Sequence, residues 1–336
     1  MKAAVQKAIH VVEVEDVPEP PTRPDQIKVK IAFAGICGTD MEILEGAFGL
    51  VKVPKFPKIE GHEASGTIVE VGSATKLGYK VGQRVAVVPV APCGACYYCR
   101  SGMEAYCEHG TEYSGAFAEY GYYNEGQVFS IADDVSFEVG TMLEPLSIAM
   151  RANDRGEVGP GKSVAIIGAG PIGMLNLIVA THSGAALTMV SEPFDYKRDF
   201  ARRLGATATV DPKNEDILDV TVKLTNGRGF DAVIDCTGKL AGAEQAVKLA
   251  GPGAHVVWAA VYPVGGTVAV EAWAVFEKDL SIHGVFQSPY FLWKANKMLS
   301  VLDLSPLVSH IYPLDDINQA FADQRAGKVM KALIRP

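Results

Sequence analysis

The chain has 336 residues, 48% of them hydrophobic, and a formal net charge of -8; this is length enough for two domains with cores of their own and an acid balance that disfavours a nucleic-acid surface. No apolar run approaches the roughly 20 residues of a membrane span, and Met1 opens into a strand-like segment without a secretory pattern. Six cysteines with metal-type spacing point to a reducing compartment, so the expected location is cytoplasmic, with neither membrane nor nucleic acid as a partner.

In chain order, the first part reads as short strands and glycine-rich turns, with strands expected at 27–33, 63–71 and 84–88. Two short stretches border these strands, Gly35-Ile36-Cys37-Gly38-Thr39-Asp40 and Gly61-His62-Glu63. Their thiolate, imidazole and carboxylates suit one zinc ion, although spacing alone equally allows a packed cysteine and histidine. Next comes the strongest signal in the chain, Cys93, Cys96, Cys99 and Cys107 in the pattern C-x2-C-x2-C-x7-C. Two-residue gaps let thiolates converge on one tetrahedral zinc at about 2.3 Å, and four sulfurs leave no open position, so this zinc is expected to be structural.

From 163 onward strands alternate with helical stretches, the pattern of a parallel sheet with crossover helices. Strands are expected at 163–168, 188–191, 232–235, 255–259 and 280–285. The first runs into Gly168-Ala169-Gly170-Pro171-Ile172-Gly173 and then an apolar helix at 174–180. Here the first glycine serves the tight turn, the second admits a pyrophosphate, and the third lets helix and strand pack. Glu192 ends the next strand, where a ribose-binding carboxylate belongs. Its charge favours NAD over NADP, with Lys197 and Arg198 as the cations that would instead suit a 2′-phosphate. Cys236 reads as a small buried thiol at a strand end. Helices at 291–302 and 314–326 and an apolar strand at 329–334, which could return to the first domain, complete the chain.

Five stretches together, G-I-C-G-T-D at 35–40, G-H-E-x2-G at 61–66, the four-cysteine lobe at 93–107, L-E-P-L-S at 143–147 and G-A-G-P-I-G at 168–173, resemble the zinc-dependent medium-chain dehydrogenases. The resemblance covers the whole chain. It is greatest to the polyol (sorbitol-type) and threonine dehydrogenase branches, which carry glutamate at the position of Glu144 where liver-type alcohol dehydrogenases carry cysteine. It implies an α/β protein with a GroES-like β-barrel catalytic domain (1–150 and 287–336), a doubly wound Rossmann domain (151–286) and an active site in the cleft between them. Cys37 and His62 are then expected as ligands of a catalytic zinc, with Glu63 and Glu144 as exchangeable carboxylate positions. Gly168, Gly170, Pro171, Ile172, Gly173, Glu192, Lys197, Val261 and Phe286 are expected to contact the nucleotide.

A zinc held by thiolate, imidazole and carboxylate would act as a Lewis acid on a substrate hydroxyl and so favour hydride transfer to C4 of nicotinamide. Thr39 is expected to relay the proton and Asp40 to orient a ligand imidazole. Glu42 departs from the branch pattern, which often has histidine there to complete the relay; Glu60, before the zinc histidine, is a second departure. Phe48, Tyr113, Trp273, Phe286 and Tyr290 are candidate aromatic pocket residues, with Glu42 and Glu112 nearby. Lys52, Lys55 and Lys58 would suit a phosphorylated or acidic substrate or simply form a solvated face. The glutamate-type site implies a secondary alcohol flanked by hydroxyls (polyol, sugar or cyclitol), with threonine-like oxidation or a non-catalytic zinc- and nucleotide-binding relative as alternatives. A zinc-free quinone reductase is disfavoured by Cys37 and the lobe. Family habit implies a homodimer or homotetramer, with strand 280–285 pairing across a two-fold axis.

Overall fold

The structure, a computed structural model, describes residues 1–46, 55–110 and 114–336. The chain forms two compact units, Met1–Glu144 with Leu292–Pro336, and Pro145–Phe291. The expectation of an α/β protein holds for the chain.

Alternation drives the first unit. In strand Gln26–Gly35, Ile27, Val29 and Ile31 are buried while Lys28 and Lys30 point the other way, the period of a strand with one face on a core. This strand pairs antiparallel with Glu63–Val71, with register shifts at Lys28/Val29 and Ile31/Phe33 that bend it as bulges do. The main sheet runs Val308–Pro313, Lys331–Arg335, Gln26–Gly35, Glu63–Val71, Arg84–Val87, Val128–Ser130, and Tyr120–Asn124 also pairs with Gln26–Gly35. A smaller sheet joins Val11–Asp16, Lys2–Ala8 and Lys58–Ile59. Strand Lys331–Arg335 does return to this unit, pairing Leu333 with Gly35 and Ile334 with Ala34.

That register positions the chemistry. Gly35 lies opposite both Glu63 and Leu333, so two residues further along each antiparallel partner bring Cys37, Gly61 and Lys331 to the same level.

In the second unit all pairings are parallel, in the order Ala208–Val210, Leu187–Ser191, Ser163–Ile167, Phe230–Asp235, Ala250–Trp258, Ser281–Gly284. The three-residue strand Ala208–Val210 was too short to leave a sequence signal. Val164, Ala165 and Ile166 are fully buried, as expected of a central strand covered on both faces. The strand order reverses between Ser163–Ile167 and Phe230–Asp235, the switch point where such sheets bind ligands. The helix after the glycine turn starts at Pro171, three residues before the expected 174, because proline suits the first helical position. The expected helices at 291–302 and 314–326 are each a 3-10 turn followed by a shorter helix, Leu292–Met298 and Ile317–Arg325. Among the described residues no helix is long and apolar enough to cross a membrane.

Candidate metal and nucleotide sites

Cys37 caps helix Gly38–Glu45, and the Asp40 side chain closes the cap by accepting from the Cys37 backbone N–H at 2.8 Å. The other Asp40 oxygen lies 3.3 Å from His62 Nδ1, with the His62 side chain 9% exposed. Asp40 thus holds one imidazole nitrogen, the arrangement that turns the other towards a metal. The ligand atoms of Cys37, His62 and Glu63 lie within 4.8 Å of one another. A sulfur, a nitrogen and a carboxylate oxygen at such separations fit a zinc ion, whose tetrahedral ligands stand roughly 3.3–3.8 Å apart.

The electrostatics of the cluster are strongly perturbed. Burial, then the charge of Glu63, pushes the Cys37 thiol up. Burial would lower His62, but Asp40 and Cys37 outweigh it and hold the imidazole well above its ordinary range. Glu144, in the first turn of helix Leu143–Arg155, is raised to about 7 by burial and by Glu63.

The sequence reading missed Lys331. Its side chain and that of Glu63 are both 2% exposed and form an ion pair; Lys331 Nζ also donates to the Ile36 carbonyl at 2.9 Å. A Cβ on Gly35 would stand 2.7 Å from Glu63 Oε2 and 2.9 Å from Lys331 Cε, so glycine there makes room for the pair. A lysine inside the apolar run Val329–Ile334 was the available signal.

The cysteine lobe is compact. Cys93 and Cys99 sulfurs are 3.9 Å apart, as are those of Cys96 and Cys107, against about 3.8 Å between sulfurs of a tetrahedral zinc–thiolate site. The Cys93 backbone N–H donates to Cys107 Sγ at 3.2 Å, and Ala95 and Cys96 donate to Cys93 Sγ at 3.4 Å. Backbone N–H groups hold the Cys96 thiol down at about 6, while burial pushes the Cys99 thiol up to about 12.

In the second unit each turn glycine has its own reason. Gly168 has φ +92°, and a Cβ there would meet Thr237 at 3.0 Å; one on Gly173 would lie 1.9 Å from the Gly168 carbonyl. Gly170, capping helix Pro171–His182, faces open space. Pro171 and Ile172 form the first turn of that helix beside the cap. Glu192 is buried, accepting from Ala169 N–H at 2.9 Å and Phe194 N–H at 3.2 Å, which fixes its carboxylate against the glycine turn. Arg198 is committed to the Glu192 carbonyl, Asp195 and Asp211. Lys197 Nζ lies 5.4 Å over the Phe194 ring, and Lys213 Nζ does the same from its own loop.

Val261 follows strand Ala250–Trp258, and the Phe286 carbonyl accepts from Arg151 at 2.6 Å. The Arg151 guanidinium lies 5.9 Å from the Tyr290 ring. Trp273 is 61% exposed beside Phe276, on helix Ala272–Glu277, none of whose residues is buried; it forms no wall within its own unit. Phe48, Lys52, Glu112 and Tyr113 lie outside the described residues. Lys55 is exposed, and Lys58 lies 3.2 Å from the buried Glu60, which gives that second departure a partner. Thr39 is half-buried in the first turn of its helix. Burial and neighbouring Glu45 raise Glu42 above the usual carboxylate range.

Residues 23–133 match the alcohol dehydrogenase GroES-like domain and residues 171–300 the zinc-binding dehydrogenase domain. L-threonine 3-dehydrogenase of Pyrococcus horikoshii is 33% identical over 344 residues, covering 99% of this chain and 97% of that protein. A protein of Sinorhizobium meliloti 1021 solved with NADP bound is 30% identical, with a TM-score of 0.94 over 100% of this chain and 99% of its own. Galactitol-1-phosphate dehydrogenase of Escherichia coli is 27% identical, with a TM-score of 0.89 and full coverage of both chains, 100% each.

Proposed function

Since the chain belongs to the zinc-dependent alcohol dehydrogenase family of medium-chain dehydrogenases, we propose that it oxidises a secondary alcohol flanked by hydroxyls, a polyol, sugar or cyclitol, to the ketone with NAD as hydride acceptor. The observation that carries this reading is the convergence of Cys37, His62 and Glu63, with Glu144 electrostatically coupled to Glu63. These residues would hold the catalytic zinc, and Cys93, Cys96, Cys99 and Cys107 a structural one. The catalytic ion supplies Lewis-acid polarisation of the substrate hydroxyl. Asp40 fixes the His62 ring, and Thr39 would relay the substrate proton, taking it as it gives up its own to Glu42, whose acidity burial weakens, or to water. Pairing of Lys58 with Glu60 supports an unphosphorylated substrate.

NAD is favoured because the Glu192 carboxylate is fixed where a ribose would lie, and because Arg198, bound to two aspartates, is not available to a 2′-phosphate. Glu192→Ala is expected to shift the ratio of kcat/KM for NAD over NADP by about ten- to a hundredfold towards NADP, the worth of one or two charge-assisted hydrogen bonds. An unchanged ratio, from initial rates with both nucleotides, would displace the ribose site from Glu192.

The function itself is tested by nucleotide reduction on a panel of polyols, sugars, cyclitols, sugar phosphates and L-threonine, before and after chelation. Chelator-sensitive NAD reduction confined to unphosphorylated polyhydroxy compounds is expected. Turnover of threonine alone would move the chain to the amino-alcohol branch, and silence from folded, metal-loaded protein would favour a binding role.

We assign a homodimer, or a tetramer of such dimers, to the open sheet edge Ser281–Gly284, beside which Trp273 and Phe276 stand exposed. Trp273→Glu with Phe276→Glu is expected to yield monomer in sedimentation at micromolar concentration. An unaltered assembly would place the interface elsewhere.

A further inference from the structure

Asp235 ends strand Phe230–Asp235 and is wholly buried. A carboxylate there must be saturated with donors, and three reach it. Thr237 gives its backbone N–H at 3.1 Å and its hydroxyl at 2.8 Å to Oδ1; Tyr262 gives its phenol to Oδ2 at 2.5 Å.

The two donor residues belong to different segments. Thr237 packs against the nucleotide turn, since a Cβ on Gly168 would lie 3.0 Å from Thr237 Cγ2. Tyr262 belongs to the segment after strand Ala250–Trp258, which also rests on Gly238, where a Cβ would stand 2.5 Å from the Val261 carbonyl. Its ring packs edge-on against Trp258 at 6.3 Å. Asp235 therefore joins the glycine turn to the 259–262 segment at the carboxyl ends of the strands.

Strand order says which half of a dinucleotide this segment would meet. Glu192 follows strand Leu187–Ser191 on one side of the switch point, where it would meet the adenosine ribose. Strands Phe230–Asp235 and Ala250–Trp258 lie on the other side, so their loops face the nicotinamide half.

We infer that Tyr262 is a positioning residue for the nicotinamide half of the cofactor, fixing the 259–262 backbone through its bond to Asp235. This rests on the dinucleotide reading above. Ordering the segment in advance removes an entropic cost that binding would otherwise carry, and only ligands that extend to that half gain from it.

The test is calorimetric titration of the intact protein with NAD and, separately, with ADP, which has the adenosine half and pyrophosphate alone. For Tyr262→Phe, NAD dissociation is expected to weaken about tenfold, with ADP affinity unchanged. Asp235→Asn, which keeps the volume and replaces a charged acceptor by a neutral one, should move NAD in the same direction and spare ADP. Equal weakening of both ligands would make Tyr262 a general structural prop, and unchanged NAD affinity would remove its role; either overturns the inference. Failure of the unsubstituted protein to bind either ligand would instead overturn the dinucleotide reading, and the inference with it.

Discussion

Cys37→Ser is expected to lower turnover by at least about a thousandfold, equivalent to roughly 4 kcal/mol of transition-state stabilisation, while leaving the fold intact. The expectation comes from the division of labour between the two cysteine groups. Cys37 offers the single sulfur of its cluster, and its backbone N–H, not its side chain, makes the bond to Asp40. Serine keeps that cap but has little affinity for zinc as an alcohol. Metal analysis should then fall from two zinc ions per chain to one, with unchanged far-UV circular dichroism. Cys96→Ser is the control, because its sulfur lies in the closed four-thiolate lobe. It should also remove one zinc, but lower the melting temperature and leave kcat of the surviving folded fraction near normal. Near-normal turnover in Cys37→Ser would remove this cluster from catalysis.

Lys331→Met is expected to destabilise the first unit by about 3–5 kcal/mol, the usual effect of removing one partner from a buried ion pair. The methionine would leave the Glu63 carboxylate buried without its counter-cation and the Ile36 carbonyl without a donor. The loss should be larger after chelation, because a bound cation would neutralise Glu63 from its other side. Adding Glu63→Gln should recover part of it, since the double variant has no unpaired buried charge. Guanidinium unfolding of the four proteins, with and without chelator, measures this. A single variant as stable as the parent would show that water reaches Glu63 and that the pair has no structural role.

What could be read from the sequence followed how far its cause extended along the chain. The glycine turn was legible because three glycines, a proline and the strand before them are all local, and the structure gives Gly168 and Gly173 a steric reason and leaves open space at Gly170. The lobe was legible for the same cause: its four sulfurs lie within fifteen residues. The meeting of Cys37 and His62 needed the Gly35–Glu63 register, which no spacing rule supplies; residue type alone equally allowed a packed cysteine and histidine, and the family resemblance decided between the two. Lys331 escaped altogether, since it belongs to no motif and its partner is 268 positions away. Tyr262 escaped for the opposite reason; it sits in a loop of ordinary turn composition, and its phenol acquires meaning only from the buried carboxylate of Asp235. The strand Ala208–Val210 was lost because three residues are too few to show a period.

The interleaving of the two units also has a consequence for synthesis. Residues 145–291 form a contiguous unit, so all its strands are available once that stretch has left the ribosome. The first unit is different, because its central strand Gln26–Gly35 stays without one neighbour until Lys331–Arg335 is made. During that interval the nascent chain carries an unpaired strand edge and the Glu63 carboxylate without its lysine, the kind of exposed surface that chaperones hold. The proposed metal ligands are therefore translated early, while Lys331, the cation paired with one of them, is made some 268 residues later.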